Sequence, residues 1–210
     1  YIDGSQMVTD TYELVPDDIT EEVQRGGLTI QKKDSQTGTT PQGDASLAGI
    51  SFEIVNESQN AVVVGGRTIQ PGQVATTITT NASGVATTGA NALPYGDYTV
   101  RESATNDSML QTFTEEISVT ISEDGQMLEY EAENEVVRGG IDLEKQDSQM
   151  GATPQGNASF AGIEFEIINR SANPVVVGGQ TYAVGEVVIT ITTDESGTAS
   201  TGNDALPYGT

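Results

Sequence analysis

Lys32, Glu102 and Asn134 are the residues whose types could do chemistry together. Side chains alternate between the two faces of a β-strand, so position parity tells which residues share a face. Leu28, Ile30 and Lys32 share one, with Lys33 opposite; Tyr98, Val100 and Glu102 share another; Leu128, Tyr130, Ala132, Asn134 and Val136 share a third. An amine, a carboxyl group and a carboxamide thus point with the apolar set. An unpaired buried charge is prohibitive, and burial favours the neutral forms, amine and acid. A neutral amine is a nucleophile, and a protonated carboxyl can hydrogen-bond the Asn134 carbonyl and shuttle protons while ammonia leaves. The expected product is a Lys32–Asn134 isopeptide bond, with Glu102 as the catalytic proton shuttle. A dry core that holds the groups together supplies the effective concentration such an amide exchange needs. The reaction is a single self-modification without turnover, so no enzyme is expected. The bland alternative has Lys32 reaching to solvent, Glu102 marking a strand end and Asn134 serving a turn.

The elements that must position these groups are strands. Val and Ile outnumber Leu by 34 to 8 in the 210 residues, and branching at Cβ suits a pleated surface better than a helix. Strands are predicted over 28–33, 50–55, 62–69, 74–80, 98–102, 113–121 and 126–136, with Gly65-Gly66 as a two-residue hairpin turn. About seven short strands in a unit of this size predict an all-β, immunoglobulin-like two-sheet sandwich.

The chain is also repetitive. Arg25-Gly26-Gly27 recurs as Arg138-Gly139-Gly140, and the copies align without a gap at an offset of 113, with 45 of 73 pairs identical. Thr-Pro-Gln-Gly stands at 40–43 and 153–156, and Ala-Leu-Pro-Tyr-Gly at 92–96 and 205–209. Residues 25–137 are therefore read as one complete sandwich. Residues 138–210 are read as a second, C-terminally truncated copy, whose inward lysine is Lys145. Its acid and amide partners would lie beyond Thr210, so Lys145 is expected to stay unreacted within 138–210. Residues 1–15 are expected to be the tail of a preceding domain, and 16–24 a linker.

Composition narrows the function classes. There is no His and no Cys, which excludes Ser-His and Cys-His nucleophile pairs, ordinary zinc sites and disulfides. No cofactor or metal is expected; the acidic loops at 34–44 and 80–84 lack the dense ligand series of a calcium site. The net charge of -23 makes nucleic acid and anionic membrane surfaces poor partners. No apolar run is long enough for membrane insertion. Aromatic residues are only 5% and Trp is absent, a poor basis for a carbohydrate platform. With 31 acidic residues, paired carboxylates of glycosidase type arise by chance. The Leu-Pro-Tyr-Gly segments have Gly where a sortase signal needs Thr and sit before strands, so they read as turns.

One combination of motifs is more specific. Lys32-Lys33-Asp34, Leu47-Ala48-Gly49-Ile50-Ser51-Phe52-Glu53-Ile54, Leu93-Pro94-Tyr95-Gly96-Asp97-Tyr98-Thr99-Val100-Arg101-Glu102, and Asn134 ahead of Arg138-Gly139-Gly140 follow one another in order. This resembles the collagen-adhesin B-type (Cna-B) domains, also called SpaA-like or prealbumin-like isopeptide-forming pilin domains of Gram-positive surface proteins. The resemblance covers 25–137 and, in truncated form, 138–210. It implies a first-strand lysine joined to a last-strand Asn or Asp, assisted by a Glu or Asp from the strand after the Pro-Gly-like turn; by position these are Lys32, Asn134 and Glu102. The family varies in which first-strand lysine reacts, which keeps Lys33 as a second candidate. Residues 103–109 lack the family's frequent Pro-Gly-Tyr. The resemblance further implies a structural stalk or spacer repeat of an adhesin or pilus-like fibre on the extracellular, cell-wall-associated surface, with neighbouring repeats as partners. The alternative is an adhesive module that binds a host matrix protein or glycan as ligand.

Overall fold

The computed structural model describes residues 21–110 and 112–210. The reading of 1–15 as a domain tail lies outside the described residues, as does most of the expected linker.

Among the described residues, ten strands build the first repeat: β1 (Arg25–Asp34), β2 (Ser51–Asn56), β3 (Val62–Val64), β4 (Arg67–Ile69), β5 (Val74–Thr79), β6 (Val85–Thr87), β7 (Leu93–Pro94), β8 (Gly96–Ala104), β9 (Ile117–Ile121) and β10 (Met127–Asn134). They form the expected sandwich. One sheet runs β10-β1-β6, with β7 also on β1, and the other runs β5-β2-β8-β9. Gly65 and Gly66 both take positive φ at the β3–β4 turn, as a tight two-residue loop requires.

Period-two burial explains how one core arises from these segments. Leu28, Ile30 and Lys32 are fully buried in β1, Phe52 and Ile54 in β2, and Val100 in β8. Those apolar residues join Tyr98, Ile121, Ala132 and Val136 in a single cluster between the sheets. Two glycines let the strands close. A Cβ at Gly27 would lie 1.9 Å from the Gly89 carbonyl oxygen, and one at Gly26 would lie 2.7 Å from that of Gln126.

Sequence reasoning missed β6 and β7 and began the strand before the last hairpin four residues early. Three- and two-residue strands carry too little alternation to register, and a proline in β7 argues against a ladder. Pro94 is tolerated because β7 is a two-residue edge segment paired only with Arg25 and Gly26.

The second repeat carries β11 (Arg138–Gly139), β12 (Asp142–Glu144), β13 (Glu164–Ile168), β14 (Val175–Val177), β15 (Gln180–Tyr182), β16 (Val187–Thr192), β17 (Thr198–Ser200) and β18 (Leu206–Pro207). Each of β13 to β18 lies 113 positions after a first-repeat segment, and its ladder repeats the earlier register, even to the shift at Ile167/Ile168 that mirrors Ile54/Val55. Among the described residues, no helix is long and apolar enough to cross a membrane.

Candidate functional site

The unusual feature of the first sheet is that β1 and β10, the ends of the repeat, lie side by side and parallel. Their register pairs Lys32 with Ala132 and Asp34 with Asn134. Lys32 and Asn134 are thus diagonal neighbours on one face, a separation that a side chain leaning along its strand can cross. Glu102 comes from the facing sheet, where β8 pairs Glu102 with Phe52 of β2. All three are buried, with Lys32 and Asn134 at 0% exposure and Glu102 at 7%.

Glu102 lies between the other two. Its Oε2 is 3.0 Å from Lys32 Nζ, and its Oε1 accepts a hydrogen bond from Asn134 Nδ2 at 2.7 Å. The Asn134 Oδ1 accepts the backbone N–H of Phe113 at 3.0 Å. This last contact corrects the sequence reading, in which Glu102 engages the Asn134 carbonyl. The carboxyl group instead sits on the nitrogen side of the amide, and a main-chain donor holds the oxygen. No sequence signal could reveal that donor, because a backbone N–H belongs to every residue but proline.

Aromatic rings wall the lysine. Its Nζ is 5.9 Å from the Phe52 ring centroid and 5.5 Å from that of Phe113. Burial in this setting pulls the Lys32 ammonium below the ordinary lysine range, opposed by the charges of Glu102 and Glu133. A lowered pKa favours the neutral amine, the nucleophilic form, relative to an exposed lysine.

The other lysines lie elsewhere. Lys33 points to the opposite face as parity requires, and its Nζ pairs with Glu131 Oε2 at 2.5 Å, partly exposed. Lys145 donates to the Gln146 carbonyl at 3.0 Å and lies 6.0 Å from the Phe160 ring centroid. Where the family's usual Pro-Gly-Tyr is lacking, the chain beyond β8 is tied by Asn106, whose Nδ2 donates to the carbonyls of Ser46 and Ala48, and by a bridge between Met109 and Val136.

The family model of the SpaA prealbumin-like fold domain matches residues 26–136, more than half of the chain. The protein belongs to this family. No curated protein matches the chain. Among solved structures, the Bacillus anthracis TIE protein is similar at 25% identity and a TM-score of 0.52, over 89% of this chain and 27% of its own. BcpA*, described as the major pilin subunit of Bacillus cereus, is 25% identical with a TM-score of 0.39, over 53% of this chain and 30% of its own. The full-length major pilin SpaD of Corynebacterium diphtheriae is 17% identical with a TM-score of 0.39, over 84% of this chain and 50% of its own. The chain spans half or less of the length of each of these three proteins.

Proposed function

We propose that this SpaA-type domain is a structural stalk or spacer repeat of a Gram-positive surface fibre, locked by an autocatalytic Lys32–Asn134 isopeptide bond. The observation that carries the reading is Glu102 bridging Lys32 Nζ and Asn134 Nδ2 in the core, at 3.0 and 2.7 Å. In the reactive state Lys32 is the amine and Glu102 the acid. Lys32 Nζ attacks Asn134 Cγ, and the carbonyl oxygen, held by the Phe113 N–H, takes up the developing negative charge. Within the tetrahedral intermediate the former amide nitrogen is basic and accepts the proton that Glu102 carries at Oε1. Glu102 Oε2 takes a proton from the attacking nitrogen. The Cγ–Nδ2 bond then breaks, ammonia leaves, and Glu102 ends as it began, as an acid.

The bond would close a loop of 102 residues between Lys32 and Asn134. By analogy with a disulfide of that span, it contributes roughly 4–5 kcal/mol. It would also join the adjacent first and last strands, so that tension entering by β1 leaves by β10 without unzipping the sheets between them. That is the property a stalk needs, and it replaces the disulfides that a Cys-free extracellular domain lacks. Peptide mapping tests the site: a branched peptide linking Lys32 to Asn134 is expected, and separate linear peptides for both residues would overturn the reading.

A further inference from the structure

Phe113 serves both reactants of the crosslink. Its N–H donates to Asn134 Oδ1 at 3.0 Å, and its ring centroid lies 5.5 Å from Lys32 Nζ. Yet Phe113 belongs to no strand among the described residues; it lies in the stretch between β8 and β9. A main-chain donor outside regular structure needs a separate anchor, because an unanchored backbone samples many φ and ψ values and its N–H points many ways.

The stretch returns along the end of β10 as a short antiparallel ladder. Met109 bridges Val136, the Val137 N–H donates to the Ser108 carbonyl at 2.9 Å, and the Leu110 N–H donates to the Glu135 carbonyl at 2.8 Å. In a regular antiparallel ladder a hydrogen-bonded pair exchanges both of its bonds, so the Glu135 N–H would return to the Leu110 carbonyl. Here the Leu110 carbonyl accepts the Thr112 N–H at 2.9 Å, and the Glu135 N–H donates to the Thr112 hydroxyl at 2.9 Å.

The Thr112 side chain thus stands in for a backbone acceptor at the point where the ladder breaks. The chain turns there, and the Phe113 N–H meets the side chain of Asn134. Two acceptors compete for one donor at this break. With the hydroxyl in place, the Glu135 N–H is satisfied and the turn persists. Without it, the Glu135 N–H is left unpaired unless it takes the Leu110 carbonyl, which releases the Thr112 N–H and the turn that aims Phe113. Thr112 is exposed, so its hydroxyl owes nothing to core packing.

From this we infer that Thr112 is a positioning residue for the crosslink: by accepting the Glu135 N–H, its hydroxyl fixes the turn that points the Phe113 N–H at the Asn134 carbonyl oxygen. Thr112 acts through Phe113 and moves no proton of the reaction. The inference rests on the isopeptide reading and adds to it a residue that sets the rate. Removing outright a donor aimed at a developing oxyanion costs about 10²–10³ in rate, and loosening one is expected to cost about tenfold.

Refolding of the full chain tests it, with loss of ammonia followed by mass against time. Thr112→Val keeps the shape and removes the acceptor, whereas Thr112→Ser keeps the acceptor. Thr88→Val is the matched control: its hydroxyl accepts the Leu28 N–H at 3.0 Å, so the same kind of bond is lost away from Phe113. Thr112→Val is expected to react about tenfold more slowly than the parent, with Thr112→Ser and Thr88→Val within about twofold of it. A parent rate in Thr112→Val, or equal slowing in Thr112→Ser or Thr88→Val, would overturn the inference. Hydrogen exchange decides the case if Thr112→Val reacts too little to be timed. In Glu102→Gln chains, which lack the acid, the Phe113 amide is expected to exchange about tenfold faster with Thr112→Val added, and equal exchange would overturn the inference. A parent chain that keeps its full sequence mass would instead count against the isopeptide reading itself, so the two failures are distinguishable.

Discussion

Glu102→Gln keeps the shape of the side chain and removes the acid that must give one proton and take another. The variant is expected to show its full sequence mass, whereas Lys33→Ala is expected to lose one ammonia as the parent does; mass spectrometry of both separates the two lysine candidates. A second expectation concerns pH. Burial depresses the Lys32 pKa from 10.5, so the folded, unreacted repeat binds fewer protons than the unfolded chain between the folded value and 10.5. Across that window the unreacted fold gains stability as pH rises. The reactive amine–acid pair holds the same proton as the ammonium–carboxylate pair, so the crosslinking rate is expected to fall as pH rises through the folded value, where that proton is lost and Glu102 has none to give the leaving nitrogen. Chain collected unfolded and refolded at a series of pH values, sampled by mass over time, gives this profile directly. At this scale the sequence was informative for a physical reason: parity alone put an amine, an acid and an amide on inward faces. It could not say which atom of Asn134 faces Glu102, since that depends on the Phe113 main chain.

The strands that carry these groups owe their placement to close approach as much as to apolar patterning. Gly27→Ala would drive a methyl group into the Gly89 carbonyl, 1.9 Å from an ideal Cβ, and so force β1 off its neighbour. The expected cost is about 1–3 kcal/mol, typical of overpacking, and is measurable by denaturant unfolding of the variant. Loss of the crosslink should cost more. Glu102→Gln is expected to lower stability by roughly 4–5 kcal/mol, a drop in Tm on the order of 20 °C for a domain of this size. The long strands were legible because Leu28, Ile30 and Lys32, or Tyr98, Val100 and Glu102, sustain alternation over five residues. Val85–Thr87 and Leu93–Pro94 are held by their partners on β1 and carry no such pattern of their own.

At the scale of the molecule, the two repeats meet where the Gly43 N–H donates to the Pro174 carbonyl and the Asp44 N–H to the Tyr208 carbonyl, each at 3.1 Å. Gly43 has φ 59° and no room for a Cβ, so Gly43→Ala is expected to release the second repeat, seen as a larger radius of gyration by small-angle scattering. The Thr210 hydroxyl and the Ala172 N–H hold the Asp44 carboxyl below its usual 3.8. Its contribution is therefore present above that value and lost as pH falls through the folded pKa. The contact between the repeats is expected to weaken as pH falls through the folded Asp44 pKa in the parent and to be weaker at neutral pH in an Asp44→Ala protein, both read by small-angle scattering. The 113-residue repeat was plain in the sequence, but the docking of one repeat on the other was not. The residues that form it are scattered over 36–44, 138 and 172–210, and only folding brings them together.

The most direct measurement is the intact mass of the denatured 210-residue chain after folding. One ammonia less than the sequence mass, absent in Lys32→Ala, Glu102→Gln and Asn134→Ala proteins, is the predicted result. The full sequence mass in the parent would contradict the crosslink and the stalk mechanism built on it.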